Sequence, residues 1–568
     1  MTTPRAAEDY DIVVVGAGGA GMAAALFASI ENKDVLLIEH TDRVGGTTAL
    51  SAGTAWIPNT HHAIAAGAND SVEKAAHYLR QAVGNRSSEE LRRAFLENGP
   101  KAVTVLERNS EVRFRPFPLH PDYLSELDDS VMFGRAIEPL PFDGRRLRTH
   151  FALLREPIPE FTIFGGMMVD RRDASHLLRF GKSLGSALHA IKLVGRYLVD
   201  RISHRRGTRL VMGNALCGRL LYSLSQRNVP IWLNAKVEKI THTGTEVTGL
   251  VVQYAGVRRQ ITARRGVILA TGGFNRHPKL RSELLNAPAP AESPIAAGTT
   301  GEMHDLARSV GALYGQGNLD SAVWAPVSIR RRRDGSTAVY PHFFLDRGKP
   351  GVVAVNRSGR RFVSEATSYH LFGRAMFKVE DGIPSIPAFL ITDRAGMRKY
   401  GLGIVKPGGR GLKDCLSDGY IVETPSLRQL AQTLDINDEN LEATIQAMNS
   451  YAKSGVDLEF NRGGTAYERT TNGDPLHQPN PCLGTIAAAP FYAVRIYPGD
   501  IGAATGLLTN CNAQVTSADG GPIRGLYACG NDMNSVMGGT YPGPGINIGP
   551  ALTFAYIAVR HASHMKPR

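Results

Sequence analysis

Cysteine is scarce in this chain. Cys217, Cys415, Cys482, Cys511 and Cys529 lie scattered over 568 positions, and no two form a CxxC pair. That spacing excludes a dithiol redox centre and a cysteine-bound zinc, so no metal is expected. It suits reduced thiols in a cytoplasmic protein. Long uninterrupted apolar runs are missing too. The stretch from Ile12 to Ile30 is broken by Gly16, Gly18, Gly19 and Gly21, which reads as strand, turn and helix rather than a membrane span. No secretory signal is expected. No basic run interleaves with aromatics. The net charge of +13 therefore points away from nucleic acid and toward an anionic ligand or membrane surface.

Glycine, in contrast, is plentiful. Several of its 61 copies cluster in pairs at sharp positions, as expected where backbone approaches a ligand closely. The length exceeds what one compact core accommodates, so two domains are expected, one inserted in the other.

DYDIVVVGAGGAGMAAALFASIENKDVLLIEH, Asp9 to His40, carries the first chemical signal. DIVVV is a continuous apolar strand of the kind buried on both faces of a parallel sheet. Gly16, Gly18 and Gly21 form GxGxxG, with Gly19 between them. Gly16 permits the turn, Gly18 admits a pyrophosphate, and Gly21 lets helix and strand pack closely. The helix N-terminus offers free N–H groups to the phosphate. Glu39 ends the next strand, at the spacing that accepts ribose hydroxyls and disfavours a 2′-phosphate. A second glycine loop follows, RVGGTTALSAGTAWIPN, with Gly45, Gly46, Thr47, Ser51 and Gly53. A nicotinamide cofactor has no evident use for it; the longer FAD does. VEKI, beginning at Val237, the ATGG turn with Thr271, Gly272 and Gly273, and GLYACGND with Gly530, Asn531 and Asp532 complete an FAD cradle.

These segments resemble the FAD-binding half of the fumarate reductase and succinate dehydrogenase flavoproteins. The fold class expected is α/β: a Rossmann-like FAD-binding domain with an inserted α+β substrate-capping domain. The FAD-binding parts span residues 1–281 and 482–568, and the cap spans 282–481. No histidine stands inside the GGTTALSAG loop; His61 and His62 come after it. Non-covalent FAD is therefore expected.

Four segments narrow the resemblance: GGTTALSAGTAWIPN, HPDYLSE, NRSGRRFVSEATSY and TYPGPGINIGPALTFAYIAVRHA. Together they resemble the 3-ketosteroid Δ1-dehydrogenases over nearly the whole chain. The resemblance implies that Tyr541 and the Gly545 N–H clamp the ketone oxygen of a 3-ketosteroid. Such an oxyanion hole stabilises the developing enolate. Tyr369 is implied as the base for the carbon-2 proton and Tyr123 as the phenol that assists it. Hydride would pass from carbon 1 to flavin N5, and Ile548 would touch the cofactor. A further electron acceptor, which no residue identifies, is implied. A non-steroid cyclic ketone suits the same donors and base. A dicarboxylate does not, because PGDIGAATG lacks the histidine of the fumarate reductases. A non-catalytic flavoprotein has no use for tyrosine at both 369 and 541.

One stretch is not absorbed by this reading. From Lys182 to Arg206, Leu184, Leu188, Ile191, Leu198 and Ile202 recur at helical spacing. Lys192, Arg196, Arg201, Arg205 and Arg206 occupy the remaining surface. Two outcomes are open: a helix packed on the domain with solvated charges, or a peripheral contact with a membrane.

Overall fold

The computed structural model describes residues 8–380 and 383–566. It is a mixed α/β fold with two large sheets. Strand β1 (Asp9–Val15), helix α1 (Gly19–Ile30) and strand β2 (Val35–Ile38) form the N-terminal unit. Residues 12–15 and 35–38 are almost entirely buried, as apolar strands covered on both faces must be. In the first sheet, Ile231–Trp232, β2, β1, Val257–Leu269 and Pro522–Ala528 lie side by side and parallel. Strand Glu246–Tyr254 joins the first half of Val257–Leu269 antiparallel, and Lys236–Thr243 pairs with it in turn. Helices Met212–Gln226 and Ile548–His564 pack on α1.

The parallel strands release four functional segments at their carboxyl ends: Gly16 after β1, Glu39 after β2, Thr271 after Leu269 and Gly530 after Ala528. Ligands in open α/β sheets bind in this crevice.

The second sheet is antiparallel. Its order is Thr337–Pro341, Ala322–Arg331, Phe491–Ala503, Ala388–Asp393 and Val352–Val355. Strand Val422–Thr424 also pairs with Phe491–Ala503. This central strand lies beyond residue 482, where the sequence set the return to the FAD-binding part. Its partners, however, all belong to the second sheet. Pairing, not adjacency along the chain, decides which core buries a strand.

The segment expected as a basic helix forms Leu184–Ser203. Its buried face is Ser186, Ala190, Leu193, Tyr197 and Asp200. Leu193 and Tyr197 pack against Met167, and Asp200 accepts both the N–H and hydroxyl of Thr208 at 2.8 Å. The leucine and isoleucine stripe faces outward. Leu184 is 80% exposed and Ile202 85%. Phe164 and Phe180 are exposed nearby in sequence. Among the described residues, no helix is long and apolar enough to cross a membrane.

Candidate active site

One continuous cavity runs from the glycine loops to the tyrosines. At the cofactor end its wall is backbone. Among the described residues, no side chain caps α1, and a Cβ added at Gly18 would meet nothing within 4 Å. Open space therefore lies in front of amides at a helix N-terminus, which is what a pyrophosphate requires. Gly16 has φ +102°, a conformation glycine adopts freely. The second loop lies against the first: Gly45 N–H donates to Ala17 O at 2.7 Å and Gly19 N–H to Thr48 Oγ1 at 3.2 Å.

Glu39 accepts from Ala17 N–H at 2.8 Å and from Thr41 N–H at 2.9 Å. Burial would raise its carboxyl, but hydrogen bonds from His40, Ala17 and Thr41 outweigh this and hold it below the usual range. It stays an acceptor, as a ribose needs. Gly46, Thr47, Ser51, Gly53, Val237, Thr271, Gly272, Gly530, Asn531 and Ile548 also line the cavity.

Gly45, Gly273 and Asp532, expected from the sequence as cofactor contacts, are outside this lining, and so is Gly21, part of the GxGxxG motif but read there as a packing residue. A Cβ at Gly21 would sit 1.7 Å from Gly16 O, so its work is packing. Asp532 is buried and accepts hydrogen bonds from Thr271 and from Gly273 N–H. It also bonds His304 at 3.0 Å. It clamps the ATGG turn to the GND turn behind the cavity wall. His61 and His62 point to Glu107 and do not reach the cavity.

At the other end the wall is phenol. Tyr369 opens the helix Tyr369–Met376, capped by Ser368. Tyr123 lies on the loop after strand Phe114–Pro116, and Tyr541 on the turn before helix Ile548–His564. Their rings converge: Tyr369 to Tyr541 is 5.2 Å between centroids, Tyr123 to Tyr369 5.5 Å and Tyr123 to Tyr541 5.6 Å. The Tyr123 hydroxyl reaches the Tyr369 hydroxyl at 3.4 Å. Gly545 lines the same cavity as Tyr541, and its backbone is among the influences that lower Tyr541 against burial. Gly545 has φ +92°, and a Cβ there would stand 2.2 Å from Thr54 O; only glycine fits.

The turn is held from three sides. Tyr123 N–H and Tyr78 Oη–H both donate to Pro542 O, at 2.8 and 2.6 Å. Trp56 N–H donates to Gly545 O at 3.1 Å. Trp56 Nε1–H donates to Asp122 at 2.8 Å, and Asp122 pairs with Arg135 at 2.7 Å.

Burial pushes Tyr541 up to about 12, against an opposing hydrogen bond with Tyr369. Burial, then the neighbouring phenols, also hold Tyr369 well above the ordinary phenol value. Tyr541 is thus a secure donor, and Tyr369 rests protonated.

Known proteins resemble this chain. The FAD binding domain family (FAD_binding_2) matches residues 11–548. The 3-oxosteroid 1-dehydrogenase of Mycobacterium tuberculosis is 34% identical over 567 residues, covering 98% of each chain. The structure of 3-ketosteroid Δ1-dehydrogenase from Sterolibacterium denitrificans, in complex with 1,4-androstadiene-3,17-dione, superposes with a TM-score of 0.91. It is 36% identical and covers 98% of this chain and 99% of its own. The chain belongs to the 3-ketosteroid Δ1-dehydrogenase family. It is a flavin oxidoreductase with FAD as cofactor. Another similar relative is the 4-oxocyclohex-2-ene-1-carboxylate 5-dehydrogenase of Sinomonas cyclohexanicum. It is 35% identical over 561 residues, 98% of this chain and 94% of that protein.

Two residues beside the tyrosine cluster escape sequence reasoning. Tyr467 packs on Tyr123 with centroids 4.6 Å apart, and its hydroxyl is buried beside Asn472 and Tyr123. Arg347 is buried, and its charge opposes the upward shift that burial imposes on Tyr467 and Tyr123. Neither stands in the four segments that carry the family resemblance. The one signal in the sequence is an arginine between Phe343 and Asn356, in the segment that leads into the Tyr369 motif.

Proposed function

We propose that this chain desaturates the carbon 1–carbon 2 bond of a 3-ketosteroid. The observation that carries the reading is the convergence of Tyr541, Tyr369 and Tyr123 at one end of a cavity that Gly545 also lines. Two donors gripping one ketone oxygen acidify the neighbouring α-hydrogens by stabilising the enolate oxygen. Tyr369 accepts the carbon-2 proton. It must first be a phenolate, and Tyr123 supplies the route, donating to Tyr369 or carrying its proton toward Tyr467. The Arg347 charge lowers the cost of ionising that chain. Bound FAD supplies the acceptor for the hydride that leaves carbon 1.

Two cations line the cavity among the described residues, Arg155 and Lys236. Arg155 bonds Thr41, next to Glu39 at the cofactor end, and Lys236 pairs with Glu302. The tyrosine end offers Phe343, 5.0 Å from Tyr369 between ring centroids. A neutral, apolar ketone suits it. The second reading, a cyclohexanone-type ketone, is favoured by the resemblance to the Sinomonas enzyme. The second sheet we infer to be the substrate cap, reaching through Ala503 and carrying Tyr369 beside it.

The test is anaerobic. The yellow protein is mixed with a 3-keto-4-ene steroid and the visible flavin band is followed. Bleaching with a 1,4-diene product supports the steroid reading. Bleaching only by a 4-oxocyclohexene carboxylate replaces it with the second.

We further infer that helix Leu184–Ser203 rests on an anionic bilayer. Its outward leucines and isoleucines, flanked by Lys192, Arg201 and Arg205, match an interfacial helix. Such contact delivers a lipophilic ketone from the membrane.

A further inference from the structure

Away from the cavity, three ligating side chains meet at one oxygen. His61 and His62 open the short helix His61–Ala65. Glu107 lies near the end of helix Glu89–Asn109. Nε2 of His61 and Nε2 of His62 each stand 2.9 Å from Glu107 Oε2. Successive residues of a helix ordinarily point apart, yet these two imidazoles lie 4.1 Å apart between centroids and converge on the same atom.

The carboxylate is held in place. Its other oxygen accepts the backbone N–H of Phe114 at 2.7 Å. Orienting partners of this kind are the usual second layer of a metal site. Glu107 and His62 are mostly buried, whereas the His61 side chain is 49% exposed. The fourth side of the cluster therefore opens to water.

We propose that His61, His62 and Glu107 form a binding site for one zinc-class divalent ion, with water completing the coordination. The ligand atoms lie within 4.8 Å of one another. A tetrahedral zinc with bonds of about 2.0–2.1 Å places its ligands roughly 3.4 Å apart. Small rotations of the His61 and His62 rings thus reach the required geometry. Two imidazoles and a carboxylate select zinc or its borderline neighbours over magnesium or calcium, which prefer oxygen cages. The ion joins the segment leaving the Ala55–Trp56 strand to the helix that precedes Phe114. From Phe114 the chain continues to Tyr123. The site is a staple on one wall of the substrate end, and it is independent of the steroid reading.

The test uses the flavin-loaded protein, treated with EDTA, desalted and titrated calorimetrically with zinc chloride and separately with magnesium chloride. One equivalent of zinc and no magnesium heat are expected. Zinc affinity should fall by about tenfold or more in His61→Ala and in His62→Ala, and remain unchanged in His242→Ala, an exposed histidine elsewhere. The thermal midpoint should rise with zinc in the wild type but not in His62→Ala. Glu107→Gln should also lose zinc; if it misfolds, the histidine variants still decide. Absence of zinc binding, or equal affinity in wild type and both histidine variants, overturns the proposal.

Discussion

Where the cavity meets Gly16, Gly18 and Gly46, its wall is backbone; where it meets Tyr123, Tyr369 and Tyr541, its wall is phenol. The first end is assembled mainly from short contiguous motifs at the mouths of parallel strands. The second gathers one ring from each of several segments far apart along the chain. A backbone cradle tolerates almost no Cβ and depends on φ values. A phenol cluster depends on packing and on which ring keeps its proton. The two ends should therefore fail in different ways.

The largest effect is expected at the backbone end. Gly21→Ala drives a Cβ into Gly16 O and should yield no soluble flavoprotein. Gly18→Leu meets no protein atom within 4 Å at its Cβ, so the chain should fold yet purify colourless. A yellow Gly18→Leu protein would break the contrast.

At the phenol end, flavin should remain while chemistry is lost. Tyr541→Phe and Tyr369→Phe should slow anaerobic bleaching by about 10²–10³-fold with flavin content unchanged. Tyr123→Phe should cost less, up to about 10²-fold. Loss of flavin from any of these would show that the ends are not separable.

Proton occupancy sharpens the distinction between the two principal phenols. Tyr541 ionises only near about 12, so affinity for a ketone product should stay flat between about pH 7 and pH 10. As the proposed base, Tyr369 would have to lose its proton to act, and burial holds it high. Bleaching should therefore accelerate as pH rises across the same interval. A rate that falls there would assign the base elsewhere.

The smallest effect on turnover is expected far from both ends. Leu188→Glu with Ile202→Glu should leave bleaching by a dissolved steroid unchanged. The same pair should abolish sedimentation with vesicles of anionic phospholipid. Retained sedimentation would remove the membrane reading.

Much of the cofactor end is legible in the sequence. Glu39, Gly16, Gly18 and Gly46, which line the cavity, follow from local conformational rules, since a turn, a close approach and a strand end are properties of a few consecutive residues. Tyr369, Tyr541 and Tyr123 follow from motif resemblance. Their meeting does not, because it depends on a cap helix, a distant loop and a C-terminal turn arriving together. Asp532 looks like a ligand because it sits in the GND turn, yet its carboxylate serves Thr271 and His304.

The amphipathic segment shows the same division. Spacing alone determined that Leu184, Leu188, Ile191 and Ile202 share one side of a helix, because 3.6 residues make a turn. Tertiary structure alone decided which side faces the protein: Leu193, Tyr197 and Asp200 found partners in Met167 and Thr208, and the apolar stripe was left outside. The sheet boundary near Phe491 was likewise decided by pairing. Local chemistry determines what a segment can be; only long-range contacts decide what it touches.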